Sequence, residues 1–373
     1  MKIAADLTSL SDNLSGLERY AFCMVSEMIG LGRDKWYLIV KNEVPDAVKQ
    51  LKKTYSGRVC LVHVSGGKLM VNQIKLPLVM SGIKADVYLF PSFPVPLLFG
   101  NGKKKNIYAL IADTAVYDVP QTMKYRSRLL FGWGYRHSVK VCDSIITISR
   151  FSEKRIKHHF GNANNIIYAP CGIGTSNTGN SAKTSWQKVK DKYDLPEEYF
   201  LVLSTLEPRK NIGQVFKAYA EFVSHNPDAP KLVVAGRNGW MVDRELAEIN
   251  ETLSEHICIT GFVTEEDLDA VYDHAKIFVD ASLYEGFGMP PLEALSNGVA
   301  IVLVSDIPAH REVLGDDAVY FRVNDVSDLS KKMDKLYREK ADRNDRPECL
   351  EKYSWEKSAG RLYEAMRSDM RLK

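Results

Sequence analysis

The chain has 373 residues, of which 45% are hydrophobic and 26% are charged, and its formal net charge is +3. A chain of this length exceeds one ordinary hydrophobic core, so two domains are expected. No apolar run reaches the ~18 residues of a membrane span, the opening MKIAADLTSL lacks the apolar core of a signal peptide, and the six cysteines form no Cys-x-x-Cys pair. These features predict a cytoplasmic globular protein whose cysteines are buried free thiols rather than metal ligands.

The charge is unevenly distributed along the chain. Residues 1–170 hold 24 Lys and Arg against 12 Asp and Glu, whereas the remainder holds 26 against 35. This division predicts that the N-terminal half faces an anionic partner. Its densest basic stretch, residues 124–140 (KYRSRLLFGWGYRHSVK), mixes basic residues with Leu, Phe, Trp and Tyr. Three interpretations of this stretch remain open: a core helix with a solvated face, a segment on a membrane surface, or a nucleic-acid contact.

The first half predicts strands that alternate with helices. Short apolar runs typical of buried strands are MKIAAD, KWYLIV, RVCLVHV, DVYLF, NIYALIAD and SIITIS, and IIYAPCG closes the half. Amphipathic segments such as ERYAFCMVSEMIG lie between some of them. A linker rich in Gly, Ser, Thr and Asn follows at residues 172–185.

A second series of strands follows the linker: YFLVLST, KLVVAG, ICITGF, KIFVDAS, AIVLVS and AVYF. Helical segments such as EEDLDAVYDHA lie between them, and the Asp-x-Asp at Asp267 and Asp269 falls in that segment, so we interpret it as surface. We therefore predict an α/β protein with two doubly wound, Rossmann-like domains on open parallel sheets, residues 1–171 and 186–355.

Ligands of such sheets bind where strands end and loops lead into helices. Gly16 stands between the first strand and the next helix, and Arg209 and Lys210 follow YFLVLST at a helix start. RNGW follows KLVVAG, and DIPAHREV follows AIVLVS. We expect the loops of the second half to open on one edge, and the site to lie in a cleft between the domains.

Residues 282–295, SLYEGFGMPPLEAL, place Glu285 and Glu293 eight positions apart. Pro290 and Pro291 exclude one continuous helix through both glutamates, but they suit the first turn of a helix. The pattern predicts that Glu285 lies in a loop whose backbone is left open by Gly286 and Gly288. Glu293 is then expected in the first turn of the following helix.

These groups together suit a nucleotide sugar. Arg209 and Lys210, with the helix start, offer a pyrophosphate site, although such a pair alone is also typical of a solvated turn. Glu293 can accept hydrogen bonds from ribose hydroxyls, or it can be a glutamate favoured by the helix dipole. The amides of Phe287 and Gly288 can meet sugar hydroxyls because glycine leaves the approach clear.

Several ordered motifs resemble one enzyme family. They are STLEPRKNI, VAGRNGW, GFVTEEDLDAVYDHAKIFVDASLYEGFGMPPLEAL, SNGVAIVLVSDIPAHREV and YSWEKSAGRLYEAM. Together they are similar to the retaining family 4 glycosyltransferases of the two-domain GT-B fold, which includes enzymes that build bacterial surface polysaccharides. The likeness is ordered through residues 200–365 and looser before them.

The resemblance implies roles for individual positions. Glu285 would contact the donor sugar near the reacting centre, and Glu293 would hold the ribose. Arg209 and Lys210 would neutralise the leaving diphosphate. By position, the candidate catalytic residues are Glu285, Arg209, Lys210 and Asp113, and the candidate donor-binding residues are Gly16, Gly286, Phe287, Gly288, Met289 and Glu293.

The resemblance also implies an overall reaction. A hexose would pass from a GDP-, dTDP- or UDP-linked donor to a saccharide with retention of anomeric configuration, and neither a metal nor a cofactor would be needed. The N-terminal domain would bind the acceptor and be completed by a helix at about residues 356–373. The acceptor is expected to be lipid-linked, in O-antigen or capsule biosynthesis, with the basic half on the inner face of the plasma membrane and no nucleic acid involved.

One departure from the family pattern bears on the donor. Where the family usually has His-Asp, this chain has Ala112 and Asp113. The family histidine commonly contacts an outer hydroxyl of the donor hexose, so its absence favours a 6-deoxyhexose such as rhamnose as much as mannose. The alternative is that Ala112 contacts nothing.

Three rival functions stay open at this point. A GT-B sugar-nucleotide epimerase would share the fold and the donor site. A dinucleotide-dependent dehydrogenase is disfavoured because no Gly-x-Gly-x-x-Gly follows the first strand. A non-catalytic binding protein would explain the basic half but not Glu285 and Glu293.

Overall fold

A computed structural model describes residues 1–101, 106–161, 165–174, 185–237, 239, 253–339 and 347–371. The chain divides into two compact units. The N-terminal unit comprises Met1–Pro120, Lys124–Asn180 and Tyr353–Lys373, and the C-terminal unit comprises Gln121–Met123 and Ser181–Lys352. Most of the predicted linker, residues 175–184, lies outside the described residues.

Parallel strands form the sheet of the N-terminal unit. They are β1 Lys2–Asp6, β2 Lys35–Lys41, β3 Val59–Val64, β4 Val87–Phe90, β5 Asn106–Leu110, β6 Ser144–Thr147 and β7 Ile166–Tyr168. The seven strands pair in the order β3-β2-β1-β4-β5-β6-β7. β4 and β6 are buried along their whole length, as expected where helices cover both faces of a parallel sheet.

Helices follow most of these strands. They are α1 Gly16–Leu31, α2 Asp46–Thr54, α3 Lys68–Met70, α4 Leu76–Gly82, α5 Ala115–Asp118, α6 Tyr125–Val141 and α7 Arg150–Phe160, with a π-helical turn Val71–Lys75 between α3 and α4. A capping box begins α1, in which the Ser15 amide donates to Glu18 Oε2 at 2.7 Å. The Ser149 hydroxyl accepts the Ser152 amide at the start of α7.

The C-terminal unit repeats the architecture. Its strands are β8 Tyr199–Leu203, β9 Lys231–Ala235, β10 Ile257–Gly261, β11 Ala275–Asp280, β12 Ile301–Ser305 and β13 Val319–Phe321, and its helices are α8 Trp186–Tyr193, α9 Ile212–His225, α10 Glu265–Asp273, α11 Met289–Ser296, α12 Pro308–Leu314 and α13 Val326–Arg338. The six strands are parallel, in the order β10-β9-β8-β11-β12-β13. The prediction of two parallel α/β domains is therefore confirmed.

The last helix, α14 (Trp355–Arg371), belongs to the N-terminal unit and packs on α1. Trp355 meets Tyr20 edge to face at 5.9 Å between ring centroids, and its Nε1 donates to the Gly174 carbonyl at 2.8 Å. A side chain at position 172 would lie 2.2 Å from the Trp355 amide nitrogen, so Gly172 permits this close approach.

The interpretation of the Asp-x-Asp as surface is wrong for Asp267, although both residues do lie in α10. The Asp267 side chain is buried and accepts hydrogen bonds from Lys192 at 2.7 Å, Tyr193 at 2.9 Å and the Thr264 hydroxyl at 2.8 Å. It therefore fastens α10 to α8, a role that spacing alone does not reveal. In the described ranges, no helix combines the length and the apolar character that a membrane crossing requires.

Candidate active site

A buried ion cluster lies at the carboxyl ends of β8 and β11. Glu285 Oε2 is 2.8 Å from Arg209 Nη1, and Glu285 Oε1 accepts a hydrogen bond from Lys210 Nζ at 2.7 Å. Lys210 stands in a 3₁₀ turn, Pro208–Lys210, that follows β8, whereas Glu285 lies in the loop between β11 and α11. The neighbouring strands β8 and β11 thus bring the adjacent Arg209 and Lys210 to Glu285, which is 75 residues from Lys210 in the chain.

Further groups hold this cluster in place. Glu207 Oε1 accepts from Arg209 Nε at 3.1 Å and from Nη2 at 2.8 Å, while Arg209 Nη1 donates to the Tyr284 carbonyl at 2.9 Å. Asp280, the last residue of β11, places Oδ2 3.9 Å from Lys210 Nζ. Sequence reasoning missed Glu207 and Asp280, although the rule that ligands bind at strand ends would have found Asp280.

The ion pairs fix the charge state of the cluster. Burial alone would raise the pKa of Glu285, but Arg209 and Lys210 outweigh burial and hold it well below its usual range. Burial would lower the pKa of Lys210, but Glu285 and Asp280 outweigh that effect and raise it. At neutral pH the cluster therefore contains an ionised carboxylate between two cations.

Lys210 keeps hydrogen-bonding capacity. An ammonium group has three N–H donors. Lys210 Nζ donates to Glu285 as its one hydrogen-bond acceptor among the described residues, since Asp280 is beyond hydrogen-bond distance. The Lys210 side chain is 10% exposed, so it is almost fully buried and can still meet an anion that enters the site.

The glycine loop brings backbone close to α12. Gly288 has φ 91°, a left-handed conformation, and precedes α11. A Cβ on Gly288 would lie 3.0 Å from Cδ2 and 3.3 Å from Nε2 of His310. Phe287 is buried, as are Gly286 and Gly288, whereas Met289 is half-buried. The buried imidazole of His310 thus lies close against the backbone of Gly288 in this loop.

The start of α11 differs from the prediction. The helix begins at Met289, so Pro290 and Pro291 occupy its second and third positions and Glu293 lies in its second turn. The expected place of Glu293 in the first turn is wrong, because left-handed Gly288 starts the helix before the prolines. Pro290 and Pro291 lack N–H groups, so of the first four positions of this helix start only Gly288 and Met289 carry an amide donor.

Glu293 has a hydrogen-bond partner in the helix that precedes α11. Its half-buried carboxylate accepts a hydrogen bond from the Tyr272 hydroxyl, which belongs to α10, at 3.1 Å. The Tyr272 ring is fully buried and packs against Phe278 at 6.0 Å. A tyrosine in the preceding helix thus orients the second glutamate, and no sequence signal pointed to that contact.

Buried polar atoms accumulate at the same strand ends. Among the described residues, those without a hydrogen-bond partner are Ser204 Oγ, Asp280 Oδ2, Ser282 Oγ and His310 Nε2. The Ser305 carbonyl, at the end of β12, accepts a hydrogen bond from His310 Nδ1 at 2.9 Å. These atoms lie at or after the carboxyl ends of β8, β11 and β12. This edge of the sheet therefore holds buried polar atoms that the described residues do not hydrogen-bond.

Gly16 and Asp113, the remaining candidates, belong to the N-terminal unit. Gly16 is exposed and is the first residue of α1. Asp113 is half-buried. Its Oδ1 accepts a hydrogen bond at 2.9 Å from the amide of Ala115, the first residue of α5. Ala112 is buried, and its carbonyl accepts the Ser152 hydroxyl at 2.7 Å.

Comparison with known proteins gives a family match in the C-terminal half. Residues 185–353 match the family described as "Glycosyl transferases group 1". The match includes Arg209, Lys210, Glu285 and Glu293.

Two curated relatives extend the comparison. The serotype-specific mannosyltransferase WbdA of Escherichia coli is 39% identical over 158 residues, which are 42% of this chain and 19% of WbdA. The O-antigen chain mannosyltransferase B of Escherichia coli is 32% identical over 255 residues, 66% of this chain and 64% of that protein. This chain thus spans about a fifth of WbdA and less than two thirds of the second relative.

Solved structures match nearly the whole chain. Sucrose-phosphate synthase from Thermosynechococcus elongatus has a TM-score of 0.72 at 15% identity, with 100% of both chains covered. Anabaena HepE, solved in complex with UDP-glucose, has a TM-score of 0.72 at 14% identity, with 99% of this chain and 100% of that chain covered. At such identities the likeness shows the fold alone, and it is the GT-B fold.

Proposed function

Because residues 185–353 match the family described as "Glycosyl transferases group 1", we propose that this chain is a retaining hexosyltransferase. It moves a sugar from a nucleotide-linked donor to a saccharide acceptor during the assembly of a bacterial surface polysaccharide. Curated relatives at 27–39% identity include mannosyltransferases, two of them named for O-antigen chains, which supports this proposal.

The observation that carries the proposal is the cluster of Glu285, Arg209 and Lys210. A leaving diphosphate develops negative charge as the bond from its oxygen to the sugar breaks. Cations that are already oriented in a buried site stabilise that charge without reorganisation, and removing one such group typically costs ~10²-fold or more in rate. Glu285 and Glu207 hold the Arg209 guanidinium in one orientation, and Lys210 keeps N–H groups for the phosphate.

The reaction that fits this site proceeds on one face of the sugar. The bond between the sugar C1 and the diphosphate oxygen breaks, and the diphosphate keeps the electron pair. The acceptor hydroxyl oxygen forms the new bond to C1 from the same face, and its proton passes to the departing phosphate oxygen. In this proposal Glu285, paired with both cations, stabilises the positive charge that develops on the sugar ring.

Metal independence is part of the proposal. Arg209 and Lys210 provide at fixed positions the positive charge that a bound metal ion would bring. We expect transfer to continue in excess chelator. A loss of activity that Mg²⁺ or Mn²⁺ restores would contradict this part.

The proposed donor is a nucleotide-linked mannose. The named activities of the relatives favour mannose, whereas the absence of the family histidine at Ala112 favours a 6-deoxyhexose. The Ala112 backbone is fastened to α7 through Ser152, and its buried methyl presents no polar group. Transfer from GDP-mannose, dTDP-rhamnose, GDP-fucose and UDP-glucose, compared in one assay, decides between the two arguments.

The decisive experiment compares two lysines of the same unit. Lys210→Ala should lower kcat by ~10²-fold or more, while Lys217→Ala, at an exposed position of α9, should leave it unchanged. NMR of the product should show the anomeric configuration of the donor. Wild-type activity in Lys210→Ala, an inverted product, or an epimerised donor formed without any acceptor would each refute the proposed reaction.

The N-terminal unit suits a lipid-linked acceptor at an anionic membrane. On α6, Tyr125 is 67% and Trp133 is 56% exposed, and Arg128 and Arg136 make cation–π contacts with Tyr125 and Tyr117. Leu69 and Leu78 are 68% and 69% exposed on α3 and α4. Aromatic, aliphatic and basic groups exposed together are typical of membrane-surface segments.

Flotation with vesicles tests this contact. The chain should float with phosphatidylglycerol vesicles at low salt, and Trp133→Ser with Arg128→Ala should reduce the bound fraction, because each basic residue near an anionic surface adds ~1 kcal/mol. Lys217→Ala, in the other unit, should bind like wild type. A chain that stays in the soluble fraction would indicate a soluble acceptor.

A further inference from the structure

A cavity of about 320 Å³ opens in the N-terminal unit, at the end of β1. Its walls are mostly apolar and come from the segment after β4, from the α3 to α4 region and from α6. The rings of Phe93 and Phe131 are 6.1 Å apart between centroids, and Leu76 and Leu97 add aliphatic surface. Asp6, the last residue of β1, also lines the cavity.

Asp6 is a charged group in an apolar setting. Its side chain is buried, with 2% of the residue exposed. Oδ1 accepts the Thr8 amide at 3.0 Å and the Thr8 hydroxyl at 2.7 Å. Oδ2 has no hydrogen-bond partner among the described residues, and no ion pair within 4 Å neutralises the carboxylate there. Oδ2 is not among the fully buried atoms without a partner, and Asp6 lines the cavity, so this oxygen is accessible to a hydrogen-bond donor that enters the cavity.

The walls and the carboxylate together define the ligand class. A pyranose ring has C–H faces that pack on aromatic and aliphatic side chains, and hydroxyls that donate to a carboxylate. A hydrocarbon chain would fill the walls but leave Asp6 Oδ2 without a donor. An anionic group would meet Asp6 as a like charge, although Lys68 also lines the cavity.

We propose that this cavity receives a sugar ring of the acceptor and that Asp6 Oδ2 accepts a hydrogen bond from one of its hydroxyls. The inference rests on the proposed saccharide acceptor and names the residues that hold it. Asp6 is then a binding residue for the acceptor, separate from the cluster around Glu285.

Asp6→Asn is the variant that tests the inference. Asparagine keeps an Oδ1 that accepts from Thr8, but it replaces the charged Oδ2 by an N–H donor. Thr8→Val serves as a control, because it removes one bond to Oδ1 and leaves the carboxylate in the cavity. Ser127→Trp is the second variant, since it adds bulk to the cavity wall on α6 and leaves the Asp6 side chain itself unchanged.

Two measurements are made on the full chain. Initial rates give KM for the acceptor and for the donor, and titration with α-linked mannobioses gives saccharide binding without turnover. Asp6→Asn and Ser127→Trp should raise the acceptor KM by ~10-fold or more, as expected for a lost charge-assisted hydrogen bond. The donor KM and the kcat at saturating acceptor should stay within about twofold, and Thr8→Val should behave like wild type.

The outcomes separate this inference from the proposed function. An unchanged acceptor KM in Asp6→Asn, or an equal rise in donor KM, would overturn the role of Asp6. If wild type transfers no sugar but binds a mannobiose that Asp6→Asn does not bind, the cavity proposal stands and the proposed transfer falls. If mannobioses bind both proteins equally, the cavity proposal falls whatever the activity.

Discussion

Two buried carboxylates, Glu285 in the C-terminal unit and Asp6 in the N-terminal unit, have opposite surroundings. In the C-terminal unit, Glu285 is held between Arg209 and Lys210 at hydrogen-bond distance. In the N-terminal unit, Asp6 sits among apolar walls with one oxygen bound to Thr8 and the other without a partner among the described residues. Glu285 is neutralised by its own ion pairs, whereas Asp6 keeps one oxygen available to a ligand in the cavity.

The pKa shifts express the same difference. Arg209 and Lys210 outweigh burial and lower the pKa of Glu285, whereas burial outweighs the Thr8 bonds and Lys41 and raises the pKa of Asp6. Ion pairs prepare a site for a substrate whose charge changes during reaction. An unpaired carboxylate suits a neutral, hydroxyl-bearing substrate, whose binding supplies the missing donor. The contrast teaches that a carboxylate can serve different tasks in the proposed donor site and the proposed acceptor site.

The largest effect is expected from breaking the paired site. Glu285→Gln should lower kcat by ~10²-fold or more while the donor dissociation constant changes little. It should also lower the free energy of unfolding by ~3 kcal/mol, because Lys210 loses its counter-charge while buried. Steady-state kinetics, donor titration and urea unfolding measure the three quantities. Equal losses in binding and turnover would show that Glu285 serves nucleotide binding instead.

A smaller effect is expected at the second glutamate. Glu293→Gln should weaken donor binding by ~10-fold, the cost of charge-assisted bonds to ribose hydroxyls, with a lesser effect on kcat. Tyr272→Phe removes the hydroxyl that orients Glu293 and should weaken binding by only a few-fold. A stronger effect of Tyr272→Phe than of Glu293→Gln would mean that Glu293 has a structural task in α11.

The sequence predicts the fold well because its signals are local. Each strand is a short apolar run, and runs such as VYLF and IVLVS are buried along their whole length. The proximity of Arg209, Lys210 and Glu285 also follows from the sequence, since neighbouring parallel strands end at one edge. The spacing cannot specify that the Glu285 carboxylate forms ion pairs with both Arg209 and Lys210.

Other contacts depend on tertiary packing and lie outside sequence reasoning. Tyr272 meets Glu293 because α10 packs beside α11, and Asp267 is buried because α8 brings Lys192 to it. The helix containing Glu293 starts before the prolines, because Gly288 adopts φ 91°. Asp6 ends an ordinary apolar strand, so only the cavity around it distinguishes it from a surface aspartate.

Stability should change in opposite directions at the two carboxylates. Burial raises the pKa of Asp6, so its ionised form destabilises the fold above its unfolded pKa, and the penalty is lost as the pH falls below the folded pKa. Asp6→Asn should therefore raise the melting temperature at pH 7 by about 2–4 °C, the shift that ~1 kcal/mol produces in a domain of this size. Glu285 has a lowered pKa, so its stabilisation is present above pH ~4.5 and is lost on acidification. A fall in melting temperature for Asp6→Asn at pH 7, or a gain that persists at pH 4, would contradict this assignment.

The smallest expected effect comes from salt, and it distinguishes the two sites without mutation. Donor binding brings a diphosphate to the cations Arg209 and Lys210, so raising NaCl from 0.05 M to 0.5 M should weaken it. Because their side chains are only 20% and 10% exposed, screening should be partial, and we expect a loss of ~2- to 5-fold. Mannobiose is uncharged, and its bond to Asp6 is a short-range contact, so its dissociation constant should stay within about 1.5-fold over the same range. Calorimetric titrations of GDP and of mannobiose in parallel, with potassium glutamate replacing NaCl as a control for specific chloride binding, measure both. If mannobiose binding weakened as much as GDP binding, the saccharide would lie in a charged site, and the contrast between a paired and an unpaired carboxylate would not describe how this chain divides its substrates.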